Sequence, residues 1–224
     1  MTLARRLVAE ALGTALLLAV VVGSGIMGER LAAGNNALAL LANSLATGCG
    51  LYVLITIFGP LSGAHFNPAV TVPMAMVGEF PWRDVLPYVV VQILAALCGV
   101  AAAHWMFDLP AFSASTHIRT GASQWWSEGV ATFGLLVTIW LGNRARPALV
   151  PVLVAANITA AYWFTASTSF ANPAVTIARA TTDTFSGINP GDVHGFLAAQ
   201  FAGAVAATFF ARWLSGPLSK PSRD

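Results

Sequence analysis

The pentapeptide Asn-Pro-Ala-Val-Thr occurs twice in this chain, at 67–71 and at 172–176, once in each half of a very apolar sequence. Each copy lies in a short segment broken by Gly, Pro, Ser and Asn, between runs long enough to cross a bilayer. A motif duplicated in that setting points to a functional site on a pseudo-symmetry axis. It restricts the fold to one in which both broken segments reach the same place.

The runs themselves fix the solvent. Of the 224 residues, 57% are hydrophobic and 9% charged, whereas a water-facing domain normally carries about a quarter charged residues. Crossing a hydrocarbon core roughly 30 Å thick takes about 20 helical residues. Six runs qualify, at about 7–27, 37–58, 85–107, 123–141, 148–165 and 193–214. The expected fold class is an all-α membrane protein with six transmembrane helices plus two re-entrant half-helices, forming one membrane domain over 1–224. The first run follows Arg5 and Arg6, as the core of a signal peptide would, but it is longer than such a core and contains Glu10. The stretch 9–14 is also loosely echoed at 127–132, so the run is read as a retained helix.

Other landmarks recur in phase with the pentapeptides. Pro81, Asp84, Val85 and Gln92 resemble Pro190, Asp192, Val193 and Gln200. Each half reads helix, helix, broken segment, helix, over about 1–107 and about 122–215, with the divide at 108–121. Three spans is an odd number, so the second half must enter the membrane from the opposite side, and inverted repeats of this kind hold their site near the bilayer midplane. Asn is a favoured N-cap and Pro a favoured first helical residue. Asn67-Pro68 and Asn172-Pro173 therefore start two half-helices that abut at their N-termini. Each such end carries the equivalent of roughly +0.5 charge, which repels cations, protons included. The Asn67 and Asn172 amides would supply donors, and the lead-in segments 62–65 and 168–171 carbonyl acceptors, to polar uncharged solutes.

Lys and Arg favour short cytoplasmic loops. Arg5, Arg6, Arg83, Arg144, Arg146, Arg212, Lys220 and Arg223 fall on one side of the six-span arrangement, against Arg30, Arg119 and Arg179 on the other, which predicts both termini inside. The net charge of +2 reflects that bias and calls for no nucleic acid. Cys49 and Cys98 fall within helices and are expected to pack in the core as small hydrophobes. The His residues lack zinc-like spacing, and no nucleophile-base pair or phosphate-binding loop occurs. No catalytic residue, metal or cofactor is expected, and an enzyme is not indicated.

These residues resemble a known family, the aquaporins or major intrinsic proteins, along the whole chain. The resemblance rests on the boxes Asn67, Pro68, Ala69 and Asn172, Pro173, Ala174; on Ser62-Gly-Ala-His65 before the first; on Glu10 and Glu128; and on Gln92 and Gln200. It implies a passive channel with one pore per protomer, assembled as a homotetramer in the lipid bilayer of the plasma (inner) membrane. It also implies a selectivity filter outside the paired Asn residues. Counted from the boxes, the filter positions are Thr47, Ala160, Ser169 and Val175, with Ala161 one residue of slip from Ala160. His65 is expected beside the pore. Glu10 and Glu128 are expected either to relay protons or, as their matching placement favours, to support the broken segments.

The chain departs from most relatives in having Val175 where they have Arg directly after the second box, which removes a guanidinium with five donors and a permanent charge. A filter of Thr, Ala, Ser and Val is expected to be wide, which disfavours a strict water channel. It resembles that of bacterial aquaporins associated with arsenic resistance, where the implied cargo is a neutral metalloid hydroxide such as As(OH)3 or a methylated arsenical, with glycerol and water as further solutes. Arg179 shares a helical face with Asn172 and Val175, about 6 Å beyond Val175 at 1.5 Å per residue. It is expected either to serve as a charge at the outer mouth or to snorkel and cap the short helix. A water-selective aquaporin, a coupled secondary transporter and a purely adhesive role are the competing functions. The half-helices carry no carboxylate for ion coupling, and the short loops offer little adhesive surface.

Overall fold

The computed structural model describes residues 1–216, so Lys220 and Arg223 lie outside the described residues. Six long helices form the shell: α1 (Leu3–Leu31), α2 (Asn36–Ser62), α4 (Trp82–Met106), α5 (Ala122–Ala145), α6 (Val150–Phe164) and α8 (Val193–Ser215). Two short ones, α3 (Pro68–Met76) and α7 (Pro173–Arg179), lie between them. Among the described residues there is no strand. Five of the long elements are apolar enough to cross a membrane, once α6 and α8 are counted from Pro147 and Pro190. The fourth expected span, α5, falls short because Gln124, Ser127 and Glu128 lie near its start and Asn143 and Arg144 at its end.

The halves run in opposite senses. Arg6, near the start of α1, meets Asp84 near the start of α4 at 2.5 Å, and Arg30 at the far end of α1 donates to the Phe107 carbonyl after α4. Thr47 of α2 lies against Tyr162 near the end of α6, and Gln124 at the start of α5 donates to the Ala166 carbonyl just beyond α6. The first helix of each half thus starts at opposite ends of the bundle.

Small residues let the shell close. α4 crosses α1 at Gly99, where an added Cβ would lie 2.3 Å from the Ala15 carbonyl oxygen; α8 crosses α5 at Gly203, where it would lie 2.3 Å from that of Gly129. With lipid outside as apolar as the core, such close backbone approach and interhelical hydrogen bonds hold membrane helices together. The same lipid explains a correction. Cys49 and Cys98 are exposed on the outer surface of the bundle, not packed in its core, because a helix surrounded by hydrocarbon is apolar on both faces and its composition does not mark the buried one.

Candidate functional site

Asn67 caps α3 by accepting from the Ala69 amide at 2.8 Å, and Asn172 caps α7 by accepting from Ala174 and Val175 at 3.0 and 3.3 Å. Pro68 and Pro173 occupy the first helical position, where their missing N–H costs nothing. The two N-termini are tied to each other. The Asn67 carboxamide donates to the Ala171 carbonyl at 2.7 Å, and that of Asn172 donates to the Phe66 carbonyl at 2.8 Å. A carboxamide nitrogen has two hydrogens, so each Asn retains one for the cavity that both line.

The lead-in segments are held in a backbone shape that ordinary side chains rarely adopt. Ala64, Phe66, Ser169 and Ala171 have φ of 48, 49, 52 and 47°, with Thr168 at 62°. Such residues persist only where their surroundings over-determine them, and here two buried carboxylates do so. Glu10 accepts from the His65 and Phe66 amides, the Ser62 hydroxyl and the Gln92 amide at 2.6–3.0 Å. Glu128 accepts from the Phe170 and Ala171 amides and from Gln200 at 2.5–2.9 Å. Both carboxylates are fully buried, and their oxygens are occupied by donors of the loops. Gln92 and Gln200 reach on to the hydroxyls of Thr71 and Thr176, which donate back to the Asn67 and Asn172 carbonyls. The fifth residue of the pentapeptide, to which the sequence reading gave no role, is the link between box and carboxylate.

A cavity of about 580 Å³ runs along the bundle. It is lined by Val150, Val154, Ile158 and Tyr162 on successive turns of α6, a length of roughly 18 Å at 1.5 Å per residue. One wall is apolar, from residues such as Leu51, Leu135 and Ile139; another is the backbone of 63–66 and 169–171. The carbonyls of Gly63, Ala64, His65, Ser169 and Phe170 accept no hydrogen bond among the described residues. The wall therefore offers a row of acceptors opposite a greasy face.

Of the expected filter residues, Thr47, Ser169 and Val175 line this cavity, and Ala160 does not. Ala160 is exposed on the outer flank of α6, and Ala161 is buried away from the cavity. The cavity-facing residue is Tyr162, whose hydroxyl lies 3.2 Å from that of Thr47. Two positions along a helix turn the side chain through about 200°, so Ala160, the position counted from the boxes, faces away from the cavity that Tyr162 lines. The period of four through Val150, Val154 and Ile158 would have found Tyr162. The cavity wall at the expected filter residues therefore carries a large aromatic as well as small side chains.

His65 also lines the cavity, its Nδ1 3.1 Å from the Thr71 hydroxyl. Arg179 does not extend to the outer surface: it is 2% exposed and on the cavity wall, its guanidinium carbon 3.4 Å from the Phe170 ring centroid, with Nε donating to the Ser186 carbonyl. Arg119, in the α4–α5 connection, lies on the same ring at 5.2 Å. Its burial lowers its pKa from the ordinary guanidinium value. Sequence reasoning gave Arg119 only an outward charge, and nothing in the local sequence marks it as a clamp.

A sequence model of the family described as Major intrinsic protein matches residues 1–168. The chain belongs to the major intrinsic protein family. As a member it is a membrane channel for small solutes and not an enzyme. It is 59% identical over 215 residues to aquaglyceroporin AqpS of Rhizobium meliloti, covering 96% of this chain and 92% of that protein. It is 32% identical over 166 residues to a Thermotoga maritima protein named "Probable glycerol uptake facilitator protein", covering 65% and 68% of the two chains. The X-ray structure of the aquaglyceroporin from Plasmodium falciparum superposes with a TM-score of 0.68 at 19% identity, over 97% of this chain and 99% of that one. At that identity the likeness shows the fold alone.

Proposed function

We propose that this family member is a passive channel for small uncharged polyhydroxylated solutes, with neutral metalloid hydroxides such as As(OH)3 and methylated arsenicals as its distinctive cargo and glycerol and water as further solutes. The observation that carries the reading is Val175 on the cavity wall beside Ser169. A methyl-bearing side chain there leaves room for a solute broader than water, and the free carbonyls of 63–65 and 169–170 replace its hydration as it moves along the apolar face. As(OH)3 and glycerol share what this wall recognises: three hydroxyls on a compact uncharged body.

Tyr162 and Arg179 on the wall support glycerol more than a filter of four small residues did, since an aromatic and a guanidinium can seat the carbon and the hydroxyl faces of a polyol. The 59% identity to a protein called an aquaglyceroporin supports the same class. One pore per protomer, a homotetramer in the inner membrane and cytoplasmic termini complete the proposal. The charge asymmetry of the connecting loops supports the orientation.

The test compares water, glycerol and As(OH)3 permeability in proteoliposomes, wild type beside Val175→Arg. Solute flux that falls in the variant while water flux persists supports a wide pore governed by position 175. High water flux with no solute flux in the wild type would make this a water channel and sink the reading.

A further inference from the structure

Two guanidiniums lie against the Phe170 ring, and the protein uses them differently. The nitrogens of Arg119 donate to the carbonyls of Gly187, Ser167 and Phe185 at 2.8, 3.3 and 3.5 Å, so this side chain staples the outer loops together. Arg179, stacked closer on the other guanidinium's ring, has only Nε engaged, by the Ser186 carbonyl. Its two Nη groups have no acceptor among the described residues, although the side chain is almost wholly buried and lines the cavity.

Neither Nη is among the side-chain nitrogens sealed from solvent without a partner, and Arg179 lines the cavity, so the cavity's contents supply their acceptors. The neighbouring Ser169 hydroxyl is buried without a partner. A charge placed here is balanced from behind, because Glu128 accepts from the amides of Phe170 and Ala171, the segment on which Arg179 stacks. Arg179 lies one turn beyond Val175 along α7, yet it folds back over Phe170 and does not extend to the outer surface. Its charge therefore lies on the stretch of wall that Ser169 and Val175 share.

We infer that Arg179 is the filter guanidinium of this channel, delivered from the C-terminal end of α7, where with the Ser169 hydroxyl it binds solute oxygens and repels cations. The inference rests on the channel reading above and deepens it. A guanidinium held over an aromatic ring keeps its charge on the cavity wall while the Val175 side stays open, so the pore combines width with cation exclusion.

The experiment uses the full-length protein in liposomes, with glycerol and water permeability read by light scattering and proton and potassium leak by dye. In Arg179→Met, glycerol flux is expected to fall about tenfold, the loss of one charge-assisted contact, and a cation leak to appear. In Arg179→Lys, glycerol flux is expected to fall similarly, because an ammonium does not reproduce the planar fork, while the leak stays closed. Wild-type glycerol flux and tightness to cations in Arg179→Met would overturn the assignment and leave the channel reading intact. If Arg179→Met does not assemble, unchanged glycerol flux in Arg179→Lys overturns it instead. A wild type that conducts water and no glycerol removes the channel reading and this inference together.

Discussion

The hydroxyl of Thr47 lies 3.2 Å from that of Tyr162, joining α2 to the end of α6 on the cavity wall. The pair sets the Tyr162 ring on the cavity wall beside the expected filter residue Thr47, and the hydrogen bond holds its hydroxyl there. Tyr162→Ala should widen the cavity there. Permeability to a six-carbon polyol relative to glycerol is expected to rise about tenfold, the scale at which a pocket discriminates by size. Tyr162→Phe should change that ratio little, because the ring remains. Matched stopped-flow measurements on the two variants check this.

Glu128 is a support for the second lead-in segment. Glu128→Ala would strand the Phe170 and Ala171 amides and loosen Gln200, at about 1–3 kcal/mol for each buried donor left without a partner. A fold with a net stability of about 5–15 kcal/mol has little margin for that together with the left-handed backbone it leaves unsupported. The expected outcome is a large loss of assembled protein and a melting temperature in detergent well below wild type. A variant that melts normally and conducts normally would show that the backbone holds its shape unaided.

How much of this was legible in the sequence follows from where the physics is local. Asn67-Pro68 and Asn172-Pro173 announce a capped helix start by their own chemistry, and the odd number of spans forces the inversion, so the architecture could be read directly. Thr71 and Thr176 stood in plain view as the ends of the repeated pentapeptide. Their work is done through Gln92 and Gln200, distant in sequence, and no local rule connects them. Counting points to Ala160, and composition points Cys49 and Cys98 inward, because a helix in hydrocarbon carries no polarity signal to say which face is buried. The fold of Arg179 back onto Phe170 depends on a loop closing over it, which periodicity cannot encode.

Helix crossing at Gly203 gives a prediction about assembly. A Cβ there would lie 2.3 Å from the Gly129 carbonyl oxygen, and backbone cannot move aside as a side chain can. Gly203→Val should force α8 away from α5 at a cost of about 1–3 kcal/mol or more, typical of overpacking, and lower the melting temperature. Gly59→Ala, where nothing lies within 4 Å, serves as the matched control in the same thermal assay and should leave stability unchanged or slightly raised.

The connections between α4 and α5 and between α7 and α8 should come apart only in acid. Asp183, exposed in the α7–α8 connection, accepts from both the amide and the hydroxyl of Thr116 at 2.8 and 2.9 Å, tying that connection to the one between α4 and α5. Those two hydrogen bonds, with a smaller contribution from nearby His117, hold the carboxylate below its ordinary pKa. A carboxylate depressed in the folded state contributes its full stability above the unfolded value, near 3.9, and loses it as the pH falls through the folded value. Hydrogen exchange at the Thr116 amide, corrected for intrinsic rate, should therefore show constant protection from pH 7.5 to 5 and lose it only below about pH 4. In Asp183→Asn, protection should be weaker throughout and flat with pH. Protection that disappears between pH 7 and 5 in the wild type would show that the Asp183 carboxylate is not what holds the Thr116 amide.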